Sequence, residues 1–98
     1  MENDEIIKLR IIRKLVRKRM WGGKHTPLKF LKKQISHNDV TPKELKKLID
    51  AVIDELKTKE WLVIQRKRTG KGMDEHVWLN QSKVSEIMQF YEMYAEVE

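Results

Sequence analysis

The chain has 98 residues, of which 40% are hydrophobic, 37% charged and 7% aromatic, with a formal net charge of +6 and no cysteine. A single small domain of this length buries about two-thirds or less of the surface its unfolded chain exposes, which leaves no room for a second core or for the deep pocket most enzymes hold. Disulfides, thiolate nucleophiles, iron–sulfur clusters and cysteine-based zinc sites are excluded together; no apolar run reaches the ~18 to 20 residues of a membrane span, and the start Met-Glu-Asn-Asp-Glu has the wrong charge for a signal peptide, so the expectation is a cytoplasmic protein.

Residues 4–20 carry Ile6, Ile7, Leu9, Ile11, Ile12, Leu15, Val16 and Met20 at three- and four-residue spacings without Gly or Pro, which predicts an amphipathic helix. Asn3 or Asp4 is placed to cap it and Trp21-Gly22-Gly23 to stop it. Its apolar set is wider than one stripe, so the helix is expected to touch both the core and a second surface. The other face holds Lys8, Arg10, Arg13, Lys14, Arg17, Lys18 and Arg19.

Two segments then open alike, at Thr26-Pro27 and Thr41-Pro42, with Thr as N-cap and Pro at the first helical position. The first predicts a short helix over 27–35 that buries Leu28, Leu31 and Ile35. The second is stronger, because Thr41 and Glu44 stand at capping-box spacing and Val40 and Leu45 can form a hydrophobic staple. Leu45, Leu48, Ile49, Val52, Ile53 and Leu56 keep helical periodicity to residue 57. Strands are predicted over 61–66 and 75–79 from their β-branched and aromatic content, joined by a hairpin tip at Thr69-Gly70-Lys71-Gly72. Asn80 can cap a last helix, with Val84, Ile87, Met88, Tyr91, Tyr94 and Ala95 on one stripe and Phe90, Met93 and Val97 off it.

Charge is unevenly spread along this order. Residues 1–72 hold 20 Lys/Arg against 9 Asp/Glu, a balance of +11, while residues 73–98 hold one Lys against 6 acids, a balance of −5. A polyanion would be drawn to the first part and pushed from the second, as when one region binds nucleic acid and another does something else; a surface kept charged for solubility is the plain alternative.

The most telling stretch is Val40-Thr41-Pro42-Lys43-Glu44-Leu45 opening a helix, followed at once by Trp61-Leu62-Val63-Ile64 and then by Arg66-Lys67-Arg68-Thr69-Gly70-Lys71-Gly72. This arrangement resembles the winged helix-turn-helix family over nearly the whole chain, and in size and Lys/Glu-rich composition it looks like the small archaeal, viral and plasmid members. The resemblance implies a mainly helical α+β fold with a three-helix core, a β-hairpin wing and an extra C-terminal helix. Residues 1–80 would be the DNA-binding domain and 81–98 a dimerisation helix of the same compact unit. In that family the third helix enters the major groove and the wing lies against backbone or minor groove. Carried onto this sequence, DNA contacts fall to Thr41, Lys43, Lys46 and Lys47 on the helix and to Arg66, Lys67, Arg68 and Lys71 on the wing. Lys24-His25-Thr26 sits where the family often has a third strand. Where the family commonly has a small residue or Gly between third helix and wing, Thr58-Lys59-Glu60 stands.

Elementary chemistry points the same way. Lys43, Lys46 and Lys47 fall opposite Leu45, Leu48, Ile49 and Val52, near a helix start whose free N–H groups favour phosphate, on an element whose width fits the major groove. A solvated lysine face is the ordinary alternative, and Glu44 and Asp50 share part of this surface. The wing puts four cations and no acid in seven residues, so compensation from outside the chain is expected, unless the charges only guard a sheet edge. The cluster from Arg10 to Arg19 either extends a DNA contact or pairs with acids of a neighbouring subunit.

His25, His37 and His76 show no ligand spacing, so no metal, cofactor or enzymatic activity is expected. The last helix has more apolar surface than a small domain needs, which predicts a homodimer centred on Ile87, Met88, Tyr91 and Tyr94. The expectation is thus a nucleoid-associated protein that binds double-stranded DNA as a transcription regulator or chromosome- or plasmid-organising factor. The alternative is a protein-interaction or RNA-binding module of a replication, transcription or segregation complex.

Overall fold

A computed structural model describes residues 1–94 as a mainly helical α+β fold. In chain order its elements are α1 (Asn3–Arg17), β1 (Thr26–Pro27), α2 (Leu28–Lys33), α3 (Pro42–Thr58), β2 (Leu62–Thr69), β3 (Gly72–Leu79) and, after a 3-10 turn at Gln81–Lys83, α4 (Val84–Tyr94). The strands form an antiparallel sheet in the order β1-β3-β2. Among the described residues no helix is long and apolar enough to cross a membrane. Ala95, Glu96, Val97 and Glu98, which the sequence assigns to the last helix, lie outside the described residues.

α1 departs from expectation at both ends. Glu2, not Asn3 or Asp4, holds its N-cap position, and no side chain caps it. Its end comes before the glycines: Arg19 takes the left-handed conformation at φ 55°, the Arg19 N–H donates to Val16 O and the Met20 N–H to Leu15 O. α3 ends the same way, with Glu60 at φ 64° and the Glu60 and Trp61 N–H groups donating to Lys57 O and Leu56 O. Both are Schellman closures made without glycine. This is the turn that Thr58-Lys59-Glu60 leaves open in the sequence, and it aims the chain from α3 into the hairpin.

Ile7, Leu9, Ile11 and Ile12 are all fully buried, so the wide apolar face of α1 is used within the protomer. α3 covers it on one side, and α4 and β3 close the rest. The core joins Ile7, Ile11 and Ile12 to Leu28, Leu31, Val52, Leu56, Leu62, Val77, Leu79 and Ile87. α2 is shorter than expected at both ends: it starts one residue late because Thr26 and Pro27 are spent on the sheet, paired with Val77 and His76, so that Thr26 does not cap a helix, and it ends at Lys33, two residues before Ile35.

Lys8 leaves this core edge to bond Glu55 at 2.7 Å and to lie 5.4 Å from the Phe90 ring centroid, linking α1, α3 and α4. The hydrogen bond from Lys8 holds the Glu55 carboxyl below the usual range; burial opposes the shift and Lys59 adds to it. A depressed carboxyl contributes stability above its unfolded pKa, about 4.3 for Glu, and loses it as pH falls through the folded value. Lys8→Met is expected to flatten acid destabilisation in this window relative to the parent, checked by thermal melts between about pH 5 and pH 3.

Candidate nucleic-acid interface

The start of α3 is built by its own capping residues. The Glu44 N–H donates to Thr41 Oγ1 at 3.2 Å while the Thr41 hydroxyl donates to Glu44 Oε1 at 3.0 Å. Thr41 is thereby committed to the cap, and Glu44 is turned toward Thr41. From this fixed start Lys43, Lys46 and Lys47 are all exposed, Lys43 and Lys47 on the side away from buried Ile49, Val52 and Ile53 and Lys46 on the flank beside Ile49. One turn further the same face becomes acidic, with Asp50, paired to Lys32 of α2 at 3.0 Å, and exposed Asp54. The positive charge of α3 is thus densest in its N-terminal half, with exposed Lys57 returning a cation to the last turn beyond the two acids.

The hairpin changes the charge argument made from sequence. β2 and β3 pair without a bulge from Leu62↔Leu79 to Thr69↔Gly72, leaving Gly70 and Lys71 as the turn; Gly72 sits at φ 119°, which favours glycine. This register sets Arg66 opposite Glu75 and Lys67 opposite Asp74. Two of the four wing cations therefore have acids across the ladder, and their compensation need not come from outside. Lys67 also lies 5.4 Å from the Trp78 ring centroid. Arg68 faces Met73 instead, and Lys71 is at the tip, so the wing's uncompensated charge is concentrated on these two. Asp74 further accepts from Lys29 at 3.2 Å, tying the wing to α2. The opposition was legible in principle: a two-residue turn at Gly70-Lys71 dictates it.

Part of the basic face of α1 is engaged within the chain, while Arg17 and Arg19 stay exposed. Arg10 donates to the Ser36 carbonyl and approaches His37 Nδ1 at 3.4 Å, Lys18 bonds Gln34, and the Arg13 guanidinium is held below the usual arginine value by burial and by Arg17 and Arg10, an effect Tyr91 partly offsets. His37, in the polar turn between α2 and α3, is 7% exposed. Arg10 only donates, so Nδ1 accepts and the ring proton resides on Nε2, which donates to Asn3 Oδ1 at 2.8 Å. His37→Ala is expected to cost about 1 to 3 kcal/mol of stability by orphaning these groups, measured by denaturant titration.

The fold gathers His25 and His76, 51 positions apart, with their Nδ1 atoms 2.8 Å from each other. No residue spacing reveals this, because a two-residue strand makes the junction; the third strand that the resemblance implies near Lys24-His25-Thr26 is the one hint. His76 Nε2 is buried without a hydrogen-bond partner, so a proton on His76 Nδ1 is favoured over one stranded on Nε2. Coordination through both Nδ1 atoms would force the stranded arrangement. Among the described residues no group of three His, Asp or Glu assembles.

α4 differs most from its expected role. Ile87 is fully buried in the protomer core and is unavailable to a second copy, which removes it from the predicted dimer centre. Phe90 packs on Trp61 at 5.8 Å and on Tyr94 at 5.0 Å between ring centroids, and Met88, Tyr91 and Tyr94 are half-buried. The aromatic surplus is largely absorbed by the protomer itself. Met93 and Val84 remain exposed, at 63% and 40%. Compared with known proteins, the chain matches no family model and no curated sequence.

Proposed function

We propose that the protein is a winged-helix module that binds double-stranded DNA, with the N-terminal half of α3 in the major groove and the wing tip on the backbone or minor groove. The observation that carries this reading is the exposed Lys43, Lys46 and Lys47 at a capped helix start, together with a hairpin tip where Arg68 and Lys71 have no acid across the ladder. Lysine point charges at an α-helix of groove-fitting width, and arginine at a hairpin tip, are suited to phosphate contact. Transcription regulation or chromosome organisation near the nucleoid is the cellular role such binding would serve. A homodimer is part of the proposal, resting now on Met88, Tyr91 and Tyr94 with exposed Met93, and sedimentation at micromolar concentration tests it separately.

Asp50 and Asp54 on the outer face of α3 favour the second reading, a protein- or RNA-binding module, because they would repel a duplex seated along the whole helix. Titrating random duplex DNA at rising salt separates the two. The DNA reading expects affinity to fall with a log–log slope of about 0.9 per neutralised phosphate; absence of binding in dilute salt would end it.

A further inference from the structure

Between α2 and α3 runs a groove of about 380 Å³, adjacent to the proposed DNA-reading face but facing the side of α3 that meets α2. Its floor is apolar. Ile35 and Ile49, each 5% exposed, form the base, and half-buried Leu45 and exposed Pro42 form the wall on α3. Its rim is basic, with Lys29, Lys32, Lys33 and Lys46 against the single acid Asp50.

The rim charges are not equivalent. Lys32 is paired with Asp50 and Lys29 with Asp74, at 3.0 and 3.2 Å. Lys33 and Lys46 are exposed and make no ion pair among the described residues. An apolar body on this floor would therefore meet two unpaired ammonium groups at the mouth, one from the end of α2 and one from the first turns of α3.

We propose that this groove binds a small amphipathic carboxylate, a fatty or aromatic acid whose chain lies on Ile35, Leu45 and Ile49 and whose carboxylate bonds Lys33 and Lys46. The volume is within the range of small-molecule sites and too small for a docked helix. An apolar cation would be repelled by the rim, and a bare phosphate would leave the floor uncovered; only a ligand with both parts is matched throughout. Lys46 is also a proposed DNA contact, so an occupied groove neutralises it and competes with the duplex. That consequence rests on the DNA-binding reading; the binding itself does not.

The probe is sodium decanoate below its micelle concentration, followed by amide chemical shifts of the full chain. Saturable shifts confined to residues 29–50 are expected, with 1-decanol weaker by about ten-fold or more, the size of one lost charge-assisted hydrogen bond, and inorganic phosphate weaker by about ten-fold or more because it buries no apolar surface on the floor. Lys33→Glu with Lys46→Glu, both exposed and so tolerable to the fold, should weaken decanoate by at least a similar factor while leaving the melting temperature near that of the parent. Equal binding of decanol, undiminished binding by the double variant, or shifts spread over other faces would overturn the proposal. So would an acidic amphipathic peptide that binds this groove when decanoate does not. If decanoate binds as described but does not displace duplex DNA, or if the chain binds no DNA, the ligand site stands and the reading of Lys46 as a DNA contact fails.

Discussion

A chain carrying Lys43→Glu, Lys46→Glu and Lys47→Glu is expected to lose duplex binding by about a thousand-fold or more in dilute salt, because three charge-assisted contacts at about 1.5 kcal/mol or more each become repulsive. All three lysines are exposed on a helix whose start is held by Thr41 and Glu44, so the variant should retain its helical circular dichroism. The wing should divide unequally. Arg68→Ala with Lys71→Ala is expected to weaken binding more, and to lower the salt slope by about 2, whereas Arg66→Ala with Lys67→Ala should lower it by less than that, since Glu75 and Asp74 already oppose those two. A folded triple variant that binds as the parent does would remove α3 from the interface. Equal effects of the two wing pairs would show that cross-strand acids do not screen the wing.

The second large effect concerns α4. Ile87 is fully buried among the residues of α1, α3 and the sheet, and Phe90 covers Trp61, so removing the chain from residue 82 onward would open the core. Such a truncation is expected to yield an unfolded chain, not a folded monomer. Ile87→Ala, a gentler probe, should cost about 2 to 5 kcal/mol, a large share of the ~5 to 15 kcal/mol by which domains are stable. Denaturant titration of that variant, with circular dichroism of the truncated chain, checks both statements. A truncated chain that stays folded would mean that α4 is dispensable to the protomer and would return it to a purely intermolecular role. Tyr91, half-buried and near Arg13, is the better residue for testing association: Tyr91→Asp should affect sedimentation only if α4 also meets a second copy.

Much of the secondary structure was legible because local rules decide it. The capping pair at Thr41 and Glu44, the proline at the first position of α3 and the periodicity through Leu56 all act within a few residues, and the helix follows them. Asn80 likewise accepts from the Ser82 N–H, though the turn it caps is 3-10 before α4 begins. The hairpin needed only its two-residue turn. Where local rules were overruled, a partner distant in sequence was responsible. Thr26-Pro27 has the same grammar as Thr41-Pro42, yet β3 claims its backbone, and the helix starts one residue later, at Leu28. Trp21-Gly22-Gly23 is a helix stop by composition, but Arg19 ends α1 first, so that the Met20 carbonyl can accept from the Leu79 N–H at 2.7 Å.

By itself the sequence determined the kinds of elements, their order, and which helix face carries Lys43, Lys46 and Lys47, since periodicity and capping are properties of neighbouring residues. Tertiary structure alone decided which charges remain available and which apolar residues are already used. Register placed Glu75 and Asp74 against the wing cations, the turn before α3 drew Arg10 and His37 inward, and α4 lowered Ile87 into the core. The physical reason is common to all three: compensation and burial are set by what stands opposite in space, and a composition count of +6 carries no record of which positive groups already have a partner.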